Sequence, residues 1–266
     1  MEISAKDVQA LRQATGAGMM DAKRALVENN GDAEAATLWL RERGLGKAAE
    51  RSDRDNAEGA IAMVRNGNVA ALVQLKCETD FVAKSPDFVN LVNDIAQAVV
   101  DKGEGAAAEL NGSIDDLRLT LKENIELGQV ARFEAPEGHV LDTYLHVQNG
   151  RGVNGILIEL DGGTAELAHD IALTAAFSRP GAVSRDEVDP ALVAAEKEQL
   201  EKETLTEGKP ENAIAKIVEG KLTGWFKRQP GGVLLDQPFA KEAKQSVGQQ
   251  LGDVKIVRFA QILIGE

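Results

Sequence analysis

The chain has 266 residues, 43% of them apolar, and 43 acidic against 30 basic side chains give it a formal charge of −13. That length suits about two domains with buried cores, and the acidic balance argues against nonspecific nucleic-acid binding, which needs clustered Lys and Arg on phosphates. No apolar run approaches the roughly 18 residues of a membrane span, Met1-Glu-Ile-Ser-Ala-Lys6 lacks the charged-then-apolar order of a signal peptide, and the single Cys77 excludes an internal disulfide, so the expectation is a cytoplasmic protein with a protein partner.

Residues 4–44 predict three short helices, assigned to a domain over 1–45. Ser4 and Asp7 stand at capping-box spacing, and Gly16-Ala-Gly18 and Asn30-Gly-Asp32 mark the breaks. Val8, Leu11, Met19, Ala22, Leu26, Ala36, Trp39 and Leu40 mostly recur at helical spacing as one small core, which leaves Leu38 exposed. From Gly46 to Asn56 the sequence is charged and almost without large apolar residues, and a solvated linker is assigned to 46–57.

Beyond the linker the chain repeats itself. Val64-Arg-Asn-Gly67 lies over Val147-Gln-Asn-Gly150, and Asn-Gly between apolar runs is a hairpin signal. The apolar runs Val69–Leu75 and Gly155–Leu160 follow, then Leu91-Val-Asn-Asp-Ile-Ala96 answers Leu167-Ala-His-Asp-Ile-Ala172, and Val130-Ala-Arg-Phe133 answers Ile256-Val-Arg-Phe259. Each copy reads strand, turn, strand, helices, strand, so the fold class is α+β: a duplicated core of small antiparallel sheets covered by helices. The copies are placed at 58–140 and 141–266. Fifteen residues separate Leu75 from Leu91 but six separate Leu160 from Leu167, so the first copy carries nine extra residues around Thr79–Ser85. Asp80 beside Phe81 suits a loop that enters something else better than a core, because burying an unpaired carboxylate is costly.

The second copy carries its own insertion at about 186–228. Asp186–Leu205 and Glu211–Phe226, joined through Gly208-Lys-Pro210, predict an antiparallel helical hairpin, with apolar stripes at Val188, Leu192 and Ala195 and at Ala213, Ile214, Ile217, Val218, Leu222 and Trp225. Such a hairpin also offers a dimerisation surface, and one-to-one and two-to-two complexes both stay open.

Two sequence patterns invite chemistry and are set aside. Gly150-Arg-Gly-Val-Asn-Gly155 fits the dinucleotide fingerprint but lies between two strand-like runs rather than before a helix. Cys77 has no His near it in sequence, and His139, His146 and His169 lack metal-ligand spacing with it, so a buried apolar filler is expected there and no metal or cofactor. Read singly, Met19-Met20 would be core, Arg12 a solvated helix charge, Asp80 a cap or turn residue and His146 a satisfied strand histidine.

Two longer motifs change those readings. Leu11-Arg-Gln-Ala-Thr-Gly-Ala-Gly-Met-Met-Asp-Ala-Lys23 and Cys77-Glu-Thr-Asp-Phe-Val-Ala-Lys84 resemble the two signatures of the bacterial elongation factor Ts family. Tyr144-Leu-His146, Gly208-Lys-Pro210, Ile217-Val-Glu-Gly220, Gln237-Pro-Phe239 and Val257-Arg-Phe259 extend the likeness over nearly the whole chain. The resemblance implies a ubiquitin-associated-like N-terminal domain and a non-enzymatic guanine-nucleotide exchange factor whose partner is elongation factor Tu. It implies partner contacts at Arg12, Gly16, Met19 and Met20, at Thr79, Asp80, Phe81 and Val82, at Leu121 and Asn124, and at Leu145 and His146. Asp80 and Phe81 would press near the partner's magnesium and phosphate-binding loop. Lys122 departs from the glycine usual there, and the sequence ends at Glu266 where some members continue into a C-terminal helical module, whose contacts are not expected of these residues. The rival readings are a scaffold that docks on elongation factor Tu without exchange, and a thiol-dependent enzyme at Cys77.

Overall fold

The computed structural model describes residues 3–49, 51–228 and 231–265; Glu50, within the stretch read as a linker, lies outside them, as do Met1, Glu2 and Glu266. The chain opens with α1 (Ala5–Thr15), α2 (Met19–Glu28) and α3 (Ala33–Ala49). α1 starts in a complete capping box: the Ser4 hydroxyl accepts from the Asp7 N–H at 3.2 Å and the Asp7 carboxylate accepts from the Ser4 N–H at 3.1 Å. It ends on Gly16 at φ 67°, in the left-handed region where glycine carries no steric cost. Val8, Leu11, Ala22, Ala25, Leu26 and Ala36 are buried together, with Trp39 and Leu40 packed on them. Met19 is not part of that core. It shares the face by spacing, but as the first residue of α2 it lies past the end of the packed interface and is 47% exposed. Leu38 is exposed, as its spacing requires.

α3 continues through Gly44 and Gly46 into the stretch read as a linker. Each glycine weakens a helix by about 1 kcal/mol relative to alanine, yet tertiary contacts sustain it. Arg41 pairs with Asp116 at 3.1 Å, and a β-carbon on Gly44 would overlap a methyl of Leu119.

The first copy comprises β1 (Glu58–Asn66), β2 (Val69–Cys77), α4 (Asp80–Ala83), α5 (Pro86–Lys102), α6 (Asn111–Leu121) and β3 (Glu126–Glu134). The second begins with β4 (His139–Gln148), β5 (Arg151–Asp161) and α7 (Ala165–Ser178). It then gives out the hairpin α8 (Pro190–Thr206) and α9 (Glu211–Phe226), followed by β6 (Pro238–Phe239), β7 (Glu242–Ser246), α10 (Val247–Leu251) and β8 (Lys255–Leu263). β2 pairs antiparallel with β1 and β3, and β5 with β4 and β8, so each copy holds three strands about a central one. One pairing, Ile61 with Gly152, joins the copies into a six-stranded sheet among the described residues.

Side chains alternate along β2 between two cores. Ala71, Val73 and Leu75 pack with α5, whereas Ala70 and Leu72 join Ile61, Phe133, Leu141 and Leu157 in a cluster drawn from strands of both copies. On the second copy, Ile156, Ile158 and Leu160 pack with Ile171 and Ala172 of α7. Burial on both faces explains why these strands read as near-continuous apolar runs.

The two Asn-Gly turns differ in phase. Asn66 pairs with Val69, leaving Gly67-Asn68 as the loop with Gly67 at φ 60°; Gln148 pairs with Arg151, leaving Asn149-Gly150 with φ 53° and 80°. The first matches a II′ pattern and the second I′. A one-residue slip would turn every side chain to the wrong face, and a bulge between His146 and Val147 absorbs it.

The helical hairpin forms as expected and turns at Gly208, φ 70°. α8 starts at Pro190, capped by the Asp189 side chain, so Val188 lies outside it. The face buried on α8 is Leu200 and Thr204, while Leu192 and Ala195 are exposed, one position off the stripe inferred from spacing.

Candidate partner-binding site

The nine extra residues of the first copy build α4, one short turn of helix between β2 and α5. Thr79 caps it, its hydroxyl accepting from the Val82 N–H at 3.3 Å. Ala83 is fully buried and Val82 packs on the α5 core, which pins the inner face. The outer face carries Phe81, 83% exposed. Asp80 pairs with Lys84 one turn on, and that hydrogen bond holds its carboxyl below the ordinary value.

The base of α4 is clamped from 44 residues downstream. The Glu123 carboxylate accepts from the Glu78 N–H at 3.0 Å, the Thr79 N–H at 3.1 Å and the Thr79 hydroxyl at 2.6 Å. Glu78 reciprocates by accepting from the Asn124 N–H at 2.7 Å, and the Asn124 side-chain amide donates to the Ser52 and Arg54 carbonyls at 3.1 and 2.9 Å. Carboxylates bonded to backbone N–H groups make charge-assisted bonds, stronger than neutral ones. A large aromatic held out in water on so fixed a base has no folding role of its own.

Cys77 ends β2 beneath this turn. It is fully buried and donates to the Thr79 carbonyl at 3.2 Å; burial, with Glu123 adding to it, pushes its thiol up to about 12. At neutral pH it is a neutral thiol, the unreactive form.

Thr79, Asp80, Phe81 and Val82 therefore converge with Leu121 and Asn124 at one end of the first copy. Within that group Leu121 packs half-buried on the core and Asn124 is consumed by the loop it braces. Arg12 and Gly16 close α1, and Met19 and Met20 open α2, where Met20 is 70% exposed. Leu145 and His146 lie on β4: Leu145 packs half-buried on the cluster drawn from strands of both copies, and His146 is exposed, its Nδ1 3.4 Å from the Tyr144 hydroxyl. The expected residues thus occupy three patches on separate elements. Residue-by-residue reading missed Glu78 and Glu123, whose importance shows only once α4 and the loop after α6 are side by side. Among the described residues no group of three or more His, Cys, Asp and Glu side chains comes together to hold a metal ion, and no helix is long and apolar enough to cross a membrane.

A family profile described as Elongation factor TS matches residues 78–266, which takes in α4, Glu123 and the whole second copy. The chain belongs to the elongation factor Ts family. An elongation factor Ts of Paenarthrobacter aurescens is 40% identical over 95% of this chain and 94% of its own length. One from Nitratidesulfovibrio vulgaris is 38% identical over 100% of this chain and 97% of its own, and one from Alkalilimnicola ehrlichii 39% over 100% and 93%. The elongation factor Ts relatives thereby extend the likeness over the N-terminal helices, which the family profile leaves out.

Proposed function

We propose that this chain is a guanine-nucleotide exchange factor of translation elongation, acting in the cytoplasm on elongation factor Tu loaded with GDP. The observation that carries the reading is Phe81, an aromatic held in solvent on a turn clamped by Glu123 and Ala83, in a chain of the elongation factor Ts family.

The chemistry follows from how guanine nucleotides are held. Backbone amides and Mg²⁺ grip the phosphates, so a small displacement of that loop weakens several charge-assisted bonds at once. Phe81 supplies rigid apolar volume to spread packed elements, and Asp80, kept ionised by Lys84, brings an anion against the magnesium site. No covalent bond is made or broken. Met20 and Arg12 on the N-terminal helices, and Leu145 and His146 on β4, are proposed as the other two points of docking.

Weakening GDP a thousandfold takes about 4 kcal/mol of interface energy directed against the nucleotide-bound state. Burying one Phe side chain is worth about 1.5–3 kcal/mol, so Phe81 and a few neighbours suffice. The coupling is reciprocal: GDP weakens this protein's grip on its partner by the same factor.

The test is release of a fluorescent GDP analogue from elongation factor Tu, with this protein sub-stoichiometric and unlabelled nucleotide in excess. Accelerated release with turnover is expected. Binding without acceleration would replace the exchange reading by the scaffold reading.

A further inference from the structure

Arg151 is the first residue of β5, in the second copy, yet among the described residues its side chain bonds only to the first. Its side chain is 10% exposed; one terminal nitrogen donates to Glu58 at 2.7 Å and the other to the Gly59 carbonyl. Its Nε is buried with no hydrogen-bond partner among the described residues. A buried guanidinium with an unsatisfied N–H is costly, so the site holds Arg151 despite a penalty that an apolar side chain would avoid.

The backbone around it is built to permit the reach. Gly152 pairs with Ile61, the one rung that joins the two copies among the described residues, and a β-carbon there would stand 2.2 Å from the Ile61 carbonyl oxygen. Gly155 lies against Leu72, which a β-carbon would meet at 2.7 Å. Of the glycines that mimic a dinucleotide fingerprint, Gly152 and Gly155 are thus explained by close approach of β1 and β2, and Gly150 by its place in the turn at φ 80°.

From Arg151 the contacts reach the cap of α4 in three steps, through Glu58 and Cys77. Glu58 pairs across the ladder with Cys77, and Cys77 donates to the Thr79 carbonyl at the α4 cap. Arg151 also adds a small through-space pull at both ends of this path: at Asp80 it assists the Lys84 hydrogen bond that lowers the carboxyl, and at Cys77 it only partly offsets the burial that raises the thiol. Its own strand neighbour is Gln148 of β4, in the hairpin arm that carries Leu145 and His146.

We propose that Arg151 is a positioning residue for α4: through it, the β4–β5 hairpin of the second copy sets the pose of Asp80 and Phe81 in the first. A partner pressing on Leu145 and His146 then works on the Phe81 turn through one side chain. The kinetic consequence rests on the exchange reading; the structural one does not.

The experiment is amide hydrogen exchange on the free 266-residue chain, followed by GDP-release kinetics. In Arg151→Met the amides of residues 78–84 are expected to exchange roughly tenfold faster, as for loss of a charge-assisted anchor, while those of α7 and α9 keep their wild-type rates. The maximal GDP-release rate falls severalfold with the half-saturating concentration unchanged, and Arg151→Lys restores part of both. Wild-type exchange at 78–84 in folded Arg151→Met would overturn the proposal. Should that variant not fold, Glu58→Gln removes the anion instead, and the same amides decide. If the wild-type protein fails to accelerate GDP release, the exchange reading falls and the amide comparison still tests Arg151.

Discussion

Lys122 stands where α6 ends, at φ 60° and ψ 31°, the left-handed position that most helices give to glycine. An L side chain there costs about 1–2 kcal/mol, so Lys122→Gly is expected to raise unfolding free energy by about 1 kcal/mol, seen as a higher urea midpoint at unchanged slope. Exchange and binding should stay as they are, since Glu123 does the clamping. Phe81 is the converse: at 83% exposure, Phe81→Ala should change stability by less than about 0.5 kcal/mol. It should lower the maximal GDP-release rate more than it weakens binding, and equal losses in both would remove Phe81 from the wedge role. Phe81 was legible because an aromatic beside a carboxylate in an interrupted repeat is out of place in a core. Glu123 was not, since a surface glutamate and a clamp have the same local pattern.

At the scale of elements, signals confined to a few residues were readable and signals needing a distant partner were not. The capping box of α1 lies within four residues, so Ser4 and Asp7 announced it. The Ser4 hydrogen bonds hold the Asp7 carboxyl below its ordinary value. Its contribution is therefore present above the unfolded-state value, about 3.9, and is lost as pH falls through the lower folded-state value. Ser4→Ala is expected to cost the N-terminal helices about 1 kcal/mol at neutral pH and to flatten that acid limb, read from Trp39 emission in a Trp225→Phe background. The length of α3 was hidden because Gly44 and Gly46 argue locally against a helix that α6 sustains from more than 70 residues away. The α8 stripe was misplaced because alanines on several faces let spacing alone fit more than one phase.

For the whole molecule, the duplication was visible because its turns and helix motifs recur, but the joint between the copies was not, since one rung at Ile61 and Gly152 leaves no periodic trace. Cys77 reports on that assembled body. Buried and with its thiol pushed up to about 12, it should resist alkylation by iodoacetamide at pH 8 until the first copy opens, so that labelling follows unfolding in a denaturant series. Rapid labelling of the folded protein would show that α4 and its support open on their own. Cys77→Ser should retain GDP release, and its loss would favour a thiol-dependent activity.

α6 touches both ends of the proposed docking surface. Asp116 and Leu119 seat α3 beside it, and the loop that follows its last turn grips α4 through Glu123. In the proposed docking, the Met20 patch and the Phe81 patch would then be two arms of one bivalent ligand, not beads on a string. Once one arm is seated, the local concentration of the other is set by geometry instead of tether length. In the proposed docking, a partner whose two receptor sites had the wrong spacing would forfeit that gain altogether, and α6 would act as a caliper that selects partners by shape before any single contact does.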